Sequence, residues 1–207
     1  MTPPKGLMGG RLALERYHAM CGTLRTWRIG EIQELERSRR KGRILGFVRG
    51  LRFASQLIYS LRTTLSGENV DVSWGHLLDD TETLCSPECD IIIHKKGFVQ
   101  QWNGDGGHAP VMDFKFVRSV DALAIISCKS WLTQIDPAYA GDVKKYCPKV
   151  YLFAECCPPK RIAKLKAAAT AAGYGGFWCL YTFDPKTLYT TDDESQWLDF
   201  VKTVQAI

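Results

Sequence analysis

The chain has 207 residues, of which 45% are hydrophobic and 24% are charged, and its formal net charge is +5. These values are typical of a globular domain that buries a core without disulfides or metal ions, and they exclude a disordered chain. The mild positive charge permits an anionic partner such as nucleic acid without requiring one. No apolar run approaches the ~20 residues of a membrane span, so we expect no membrane association.

The amino terminus and the cysteines favour a cytoplasmic protein. Residues 1–6 contain no apolar segment and no small-residue cleavage site, so no secretory signal is indicated. The chain has eight cysteines, several of them in apolar, strand-like runs. We interpret them as reduced thiols that pack as small hydrophobic residues.

Two helices are predicted at the amino-terminal end. The first runs from about Arg11 to Arg39, where apolar residues recur at loosely helical spacing. The second is clearer, because an i, i+3, i+4, i+7 apolar stripe extends from Ile44 to Leu61. A polar turn at residues 66–69 follows it.

A basic segment joins these helices and continues into the second one. It has no Asp or Glu and is a candidate nucleic-acid-binding surface, although the exposed face of an amphipathic helix would have the same composition. The residues proposed to contact nucleic acid are Arg37, Arg39, Arg40, Lys41 and Arg43.

The hydrophobic period changes after residue 69. Strands are predicted over residues 70–74, 89–93 and 123–127, with a polar, glycine-rich loop at residues 102–108 before the last of them. Helices at 131–146, 159–172 and 194–204 then alternate with strands at 150–154 and 177–183. This order predicts an α/β fold with a mixed central sheet flanked by helices. We expect one domain over residues 1–207, with helices in 1–65 packed on an α/β core in 68–207.

Two of the predicted strands carry charged residues that apolar packing does not need. Asp90 directly precedes three isoleucines, and a buried carboxylate requires a cation, hydrogen-bond donors or water. Lys129 ends a similar apolar run, at a strand end where α/β sheets often bind ligands. If the strands are neighbours, the two side chains share one sheet edge, an arrangement suited to a divalent metal and a phosphate. A structural ion pair across adjacent strands is the simpler alternative.

The order of elements and a short motif resemble the PD-(D/E)XK nuclease superfamily, which has the restriction-endonuclease-like fold. More narrowly, the region from Gly42 to Lys129 is similar to a little-characterised family of bacterial nuclease-like domains. The matching motif consists of Gly75, Ser86 with Asp90, and Ser127-Cys128-Lys129-Ser130.

The resemblance implies roles for these residues. In active members an Asp and a Glu hold Mg²⁺ or Mn²⁺, and a Lys orients water and contacts the phosphate, which implies Asp90 as metal ligand and Lys129 as phosphate contact. Ser127 stands where the second carboxylate is expected, and a neutral hydroxyl is a poor ligand for a hard dication. Glu88 is a replacement ligand, because strand residues two apart share a face. Glu155, at the end of the next strand, is another.

Two main functions follow from this interpretation. The first is a Mg²⁺-dependent nuclease that hydrolyses phosphodiesters, with Asp90 and Glu88 as ligands and Lys129 positioning water. The second is a catalytically degenerate nuclease fold that binds nucleic acid, a nucleotide or a partner protein. A structural subunit of an oligomer, such as a homodimer, is a third interpretation. Domains of this kind tend to occur in bacterial defence or mobile-element settings, so the resemblance implies a setting of that kind.

The cysteines allow two further interpretations. The C-x3-C spacing of Cys85 and Cys89 is within the range of zinc ligands, which Cys156 and Cys157 would complete, but no second C-x2-C or His pair appears. A nucleophilic Cys128 would need a nearby base, and the four histidines form no recognisable partner motif.

Overall fold

A computed structural model describes residues 10–38, 43–65, 69–97, 99–101 and 114–207. Within these residues the helices are α1 (Gly10–Ser38), α2 (Arg43–Thr64), α3 (Pro137–Lys144), α4 (Ile162–Ala171) and α5 (Glu194–Gln205). The strands are β1 (Val70–Leu78), β2 (Cys89–Lys95), β3 (Val99–Gln101), β4 (Phe114–Arg118), β5 (Ala122–Lys129), β6 (Val150–Cys157), β7 (Phe177–Asp184) and β8 (Tyr189–Asp192).

The described strands form one mixed sheet in the order β3-β4-β1-β2-β5-β6-β7-β8. Strands β5, β6 and β7 are parallel to one another, while β2 is antiparallel to both of its neighbours, β1 and β5. Because β2 and β5 run in opposite directions, the first residues of β2 lie beside the last residues of β5. The predicted mixed central sheet is confirmed.

Helices cover both faces of the sheet. Helices α1, α2 and α5 pack on one face, which we call the α1 face, where Phe53 and Trp197 are fully buried against Phe153 of β6. Helices α3 and α4 pack on the opposite face, the α3 face, with Ile125 and Leu152 in its core. Since successive strand residues point to opposite faces, the apolar runs of β5 and β6 bury side chains on both. None of the described helices has the length and apolar character needed to cross a lipid bilayer.

Several boundaries differ from the sequence-based expectation. The helix predicted over 131–146 is confined to Pro137–Lys144, because Asp136 caps its first turn by accepting a hydrogen bond from the Ala138 backbone N–H at 2.9 Å. The preceding residues form a loop next to the end of β5. Strands β3, β4 and β8 were not predicted, and the predicted loop at 102–108 lies outside the described residues.

Gly75 has a clear steric role within β1. A Cβ atom at this position would lie 1.7 Å from the carbonyl oxygen of Lys115 on β4, and its φ angle is +156°. Only glycine therefore permits the close approach of β1 and β4. The register of β1 against β2 also shifts between Ser73 and Gly75, close to the start of β2.

Candidate functional site

Asp90, Ser127 and Lys129 meet at one edge of the sheet. Asp90 is the second residue of β2 and Lys129 is the last residue of β5, and the antiparallel ladder places these strand ends side by side. The shared edge on which the sequence interpretation depends is therefore present in the structure.

One carboxylate oxygen of Asp90 has three neighbours. Its Oδ2 atom accepts a hydrogen bond from the backbone N–H of Cys128 at 2.7 Å and one from the hydroxyl of Ser127 at 3.3 Å. The ammonium nitrogen of Lys129 lies 4.0 Å from the same oxygen, and the Asp90 and Lys129 side chains are 32% and 44% exposed. The ion pair is long and partly hydrated, so Lys129 keeps hydrogen-bond donors available for another anion.

Opposing influences set the pKa of Asp90. Burial is the largest, and it raises the pKa above the usual aspartate value. The Lys129 ammonium, the Cys128 N–H and the Ser127 hydroxyl act in the opposite direction without reversing the shift, and the charge of Glu88 adds to it. The carboxylate thus sits in surroundings that only partly compensate its charge.

The hydroxyl of Ser127 lies near two other side chains, Asp90 and Tyr174. Ser127 is completely buried and donates to Asp90, and it lies near enough to Tyr174 to act on the pKa of that hydroxyl, in the lowering direction. Tyr174 follows the end of α4, where Gly173 has a φ of +90°. Tyr174 comes from a distant part of the chain and lies next to Ser127. Ser127 is the position at which the resemblance implies a second carboxylate.

Glu88 lies one residue before β2 and its side chain is exposed. Its Oε1 atom accepts a hydrogen bond from the indole N–H of Trp74 at 2.7 Å, and Trp74 packs against the core of the α1 face. The register shift of β1 lies next to this point, so simple alternation does not place Glu88 on the same face as Asp90. Its charge is nevertheless close enough to raise the pKa of Asp90.

These donors fit a two-carboxylate magnesium site poorly. Magnesium prefers several hard oxygen ligands in near-octahedral geometry, usually including carboxylates. The described residues contain no group of three or more His, Cys, Asp or Glu side chains placed to hold a metal ion. At the edge itself Asp90 is held by protein donors, Ser127 is neutral and Glu88 is bonded to Trp74.

No protein-family model matches the chain, and no curated protein matches it. Solved structures do match. NucC of E. coli MS115-1 in its cAAA-bound form superposes with a TM-score of 0.61 at 9% identity, covering 99% of this chain and 93% of that one. NucC of P. aeruginosa ATCC27853, also cAAA-bound, gives 0.56 at 10% identity, with coverages of 97% and 92%. The apo form of the E. coli protein gives 0.52 at 11% identity, with coverages of 74% and 82%.

The chain has the restriction-endonuclease-like fold. The two cAAA-bound structures match this chain over almost its whole length, and the apo structure matches about three quarters of it. Sequence identities of 9–11% show a shared fold and nothing more. The predicted fold class is confirmed. The roles predicted for individual residues stay predictions.

On the α1 face of this restriction-endonuclease-like fold, the same edge carries a second charged cluster. Glu155 of β6 is 2% exposed and accepts hydrogen bonds from Arg28 at 2.9 Å and from the hydroxyl of Tyr181 at 2.5 Å. Arg28, which is 3% exposed, also donates to the carbonyl of Ser130 at 2.5 Å. Glu155 was predicted as an alternative metal ligand. The structure places it on the opposite face of the sheet from Ser127 and pairs it with Arg28.

The basic residues predicted to contact nucleic acid are only partly described. Arg39, Arg40 and Lys41 lie outside the described residues, and only the backbones of Arg37 and Arg43 are described. Further along the same segment, Arg49 and Arg52 both form ion pairs with Glu31 of α1, so this part is not an uncompensated basic face.

A second basic group lies beyond the end of β6 and was not predicted. Lys160, Arg161 and Lys164 are exposed and follow the end of β6, the neighbour of β5. Arg161 donates a hydrogen bond to the carbonyl of Thr133 at 3.0 Å, which ties it to the loop after β5. The only sequence signal was their position after a parallel strand, because ligands in α/β folds bind beyond the carboxyl ends of such strands.

All eight cysteines are free thiols. Cys157 and Cys179 approach each other with their sulfur atoms 3.4 Å apart, both deeply buried in the sheet. No zinc-like cluster occurs among the residues for which the structure gives side chains. The predicted homodimer involves a second chain and stays a prediction.

Proposed function

We propose that this chain binds nucleic acid at the edge where Asp90 and Lys129 meet, with Lys129 as a phosphate contact, and that it lacks an efficient two-carboxylate metal site. The contact pattern of Asp90 carries this proposal. One of its oxygens is already bonded to the Cys128 N–H and the Ser127 hydroxyl, while Lys129, at 4.0 Å, is held loosely enough to meet a second anion.

The charges around the edge support a polyanionic ligand. Arg161 and Lys164 line one cavity and Lys129 lines another, and the two cavities share Gln134 and Ile135 in their walls. The exposed cations therefore follow a continuous surface beyond the ends of β5 and β6. Lysine and arginine side chains in such a row contact successive phosphates without reading sequence.

Salt dependence tests this proposal. Binding of a labelled DNA duplex and a labelled single strand is measured by fluorescence anisotropy across a salt series. We expect the affinity to fall steeply with salt, and the salt slope to shrink by about one for each phosphate-contacting cation removed. Replacing Arg161 and Lys164 by alanine should reduce the slope. The matched control replaces Lys144 and Lys149, two exposed cations near the opposite edge.

The proposal is wrong if affinity ignores salt, or if the control pair and the Arg161/Lys164 pair behave alike. The same titration with cAAA as competitor asks whether a small oligonucleotide reaches this surface, since two of the similar structures contain cAAA.

A Mg²⁺-dependent nuclease is the second candidate. One observation favours it: Glu88 is near enough to Asp90 for its charge to raise the Asp90 pKa, so a metal could draw the two carboxylates together. This candidate predicts DNA degradation in Mg²⁺ or Mn²⁺ that Lys129→Ala abolishes without unfolding the protein. Mn²⁺ titration by calorimetry would then detect a site that Glu88→Gln weakens.

A gain-of-function variant separates the two candidates. Ser127→Glu restores the implied second carboxylate, and Tyr174→Phe removes the neighbouring tyrosine hydroxyl. If the missing charge is what prevents metal binding, the double variant should bind Mn²⁺ measurably while the unmodified protein and Tyr174→Phe alone do not. Equal Mn²⁺ binding by all three proteins would favour the nuclease.

A further inference from the structure

A cavity of about 470 Å³ adjoins Lys129 on the α3 face. Its lining includes Lys129, Gln134, Asp136, Tyr139, Leu152 and Tyr174. This volume lies within the range of about 300–1,000 Å³ that is usual for small-molecule sites. The lining also has the usual composition of such a site, with aromatic and apolar walls and a few polar groups.

The walls of the cavity are fixed by hydrogen bonds. The hydroxyl of Tyr139 donates to the backbone carbonyl of Glu88 at 3.3 Å, and the Lys129 ammonium lies 5.9 Å from the centre of the Tyr139 ring. Tyr174 is held by its backbone N–H, which donates to the carbonyl of Ala169 at 3.0 Å. Two aromatic side chains and one cation thus belong to a preformed cavity rather than to a mobile loop.

The polar groups favour a ligand with two different ends. Asp136 uses Oδ1 to cap α3, and the contacts within the described residues leave its Oδ2 for a ligand. Gln134 is exposed and supplies an amide donor and acceptor. An anionic group would bind at Lys129, while hydroxyl or amino groups of the same ligand would donate to Asp136 or Gln134.

We propose that this cavity binds a single nucleotide, with its phosphate on Lys129, its base against Tyr139 and Tyr174, and its polar edge at Gln134 and Asp136. The inference rests on the proposed function and narrows its ligand to one nucleotide, as a free monophosphate or as an unpaired unit of a strand. Ser127 fits this arrangement, because it is small and neutral and lies beside Tyr174 without adding a negative charge next to the phosphate.

Calorimetric titration with the four nucleoside 5′-monophosphates tests the inference, with inorganic phosphate and adenosine as probes of each half of the ligand. We expect at least one monophosphate to bind roughly tenfold or more tightly than either half probe. Gln134→Ala should weaken that binding roughly tenfold by removing a hydrogen bond, and Lys129→Met should weaken it more, because its bond to phosphate is charge-assisted. Lys144→Ala, at the far end of α3, serves as the matched control and should have no effect.

Asp136→Asn supplies an independent readout. Asparagine is as good a helix cap as aspartate, so α3 should be retained. The variant should bind inorganic phosphate more tightly, because a nearby negative charge is removed, while the monophosphate loses its preference over inorganic phosphate.

DNA anisotropy on the same variants separates this inference from the proposed function. The inference is overturned if no monophosphate binds better than inorganic phosphate, or if Gln134→Ala and Asp136→Asn leave the preference unchanged, even where DNA binding is normal. If monophosphates bind as expected but DNA affinity does not change with salt or on replacement of Arg161, the nucleotide cavity is supported and the proposed polyanion-binding surface is wrong.

Discussion

Two pairs of opposite charge occupy the same sheet edge on opposite faces, and they differ in almost every physical respect. Arg28 and Glu155, on the α1 face, are 3% and 2% exposed, and Glu155 Oε1 accepts hydrogen bonds from both Arg28 and Tyr181. Asp90 and Lys129, on the α3 face, are partly exposed and 4.0 Å apart. The first pair is shielded from solvent and ligands by burial, whereas the second pair is exposed enough to contact both.

The difference indicates that the buried pair has a structural role and the exposed pair a ligand-binding role. The buried pair holds the chain next to Lys129, because Arg28 donates to the carbonyl of Ser130 at 2.5 Å and the thiol of Cys156 donates to the same oxygen at 3.4 Å. The exposed pair then presents Lys129 to solvent from a fixed backbone. A buried ion pair costs desolvation and stabilises little over an apolar pair, but it is strongly destabilising to break.

Arg28→Met should therefore have the largest effect on stability. It leaves the Glu155 carboxyl buried without its cation, and we expect a loss of about 3–5 kcal/mol in the free energy of unfolding. Chemical denaturation at neutral pH measures the change. Arg16→Met, on the same helix but with a guanidinium stacked on the exposed ring of Tyr59, is the matched control and should cost less than about 1 kcal/mol.

A double variant sharpens the result. Arg28→Met combined with Glu155→Leu removes both charges, so most of the stability should return. A double variant as unstable as Arg28→Met alone would mean that the cluster stabilises through packing and not through paired charge.

The sequence was sufficient to predict the exposed pair but not the buried one. A charged residue beside three isoleucines is conspicuous in a strand, and the same is true of Lys129 after an apolar run, so the Asp90 edge could be located from sequence alone. Arg28 has no such signal, since arginine at an exposed helix position gives the same local pattern. Its role depends on how α1 packs across β6, which periodicity does not specify.

Local irregularity limited the prediction for Glu88. Strict alternation would place it on the face of Asp90, but the register shift near Gly75 breaks that rule, and the Trp74 indole holds the side chain.

Tyr174 was missed for a different reason. It reaches Ser127 only because the turn after α4 returns to the sheet, a tertiary contact without a sequence motif.

Tyr181→Phe should have the second-largest effect. The variant removes the hydroxyl that donates to Glu155 at 2.5 Å and leaves the ring in place. Loss of a buried hydrogen bond to a charged group should cost about 1.5–3 kcal/mol, measured by the same denaturation. Tyr59→Phe, whose ring is 58% exposed, is the control and should change stability by less than about 0.5 kcal/mol. Equal effects of the two variants would contradict the importance of the buried cluster.

On the other face, Lys129→Ala should affect stability far less. The pair is long and both side chains are partly exposed, so we expect a loss below about 1 kcal/mol, together with a clear loss of phosphate affinity. Denaturation and phosphate titration on the same sample make the comparison direct. A large stability loss with unchanged phosphate affinity would assign Lys129 to structure and not to ligand binding.

Asp90→Asn should give the smallest effect, and pH reveals its sign. Burial raises the pKa of Asp90, so ionising this carboxyl costs more in the folded state than in the unfolded chain. The wild-type protein therefore loses stability relative to the asparagine variant as pH rises from the ordinary value of 3.8 through the raised folded-state pKa, and the difference then stays constant. At neutral pH the variant should be equally stable or more stable, by less than about 1 kcal/mol.

The free energies of unfolding of the two proteins, compared across this pH range, test the sign. A variant that is less stable at neutral pH and regains parity in acid would mean that Lys129 and the Cys128 N–H outweigh burial, and that Asp90 resembles Glu155 more than the present contrast allows.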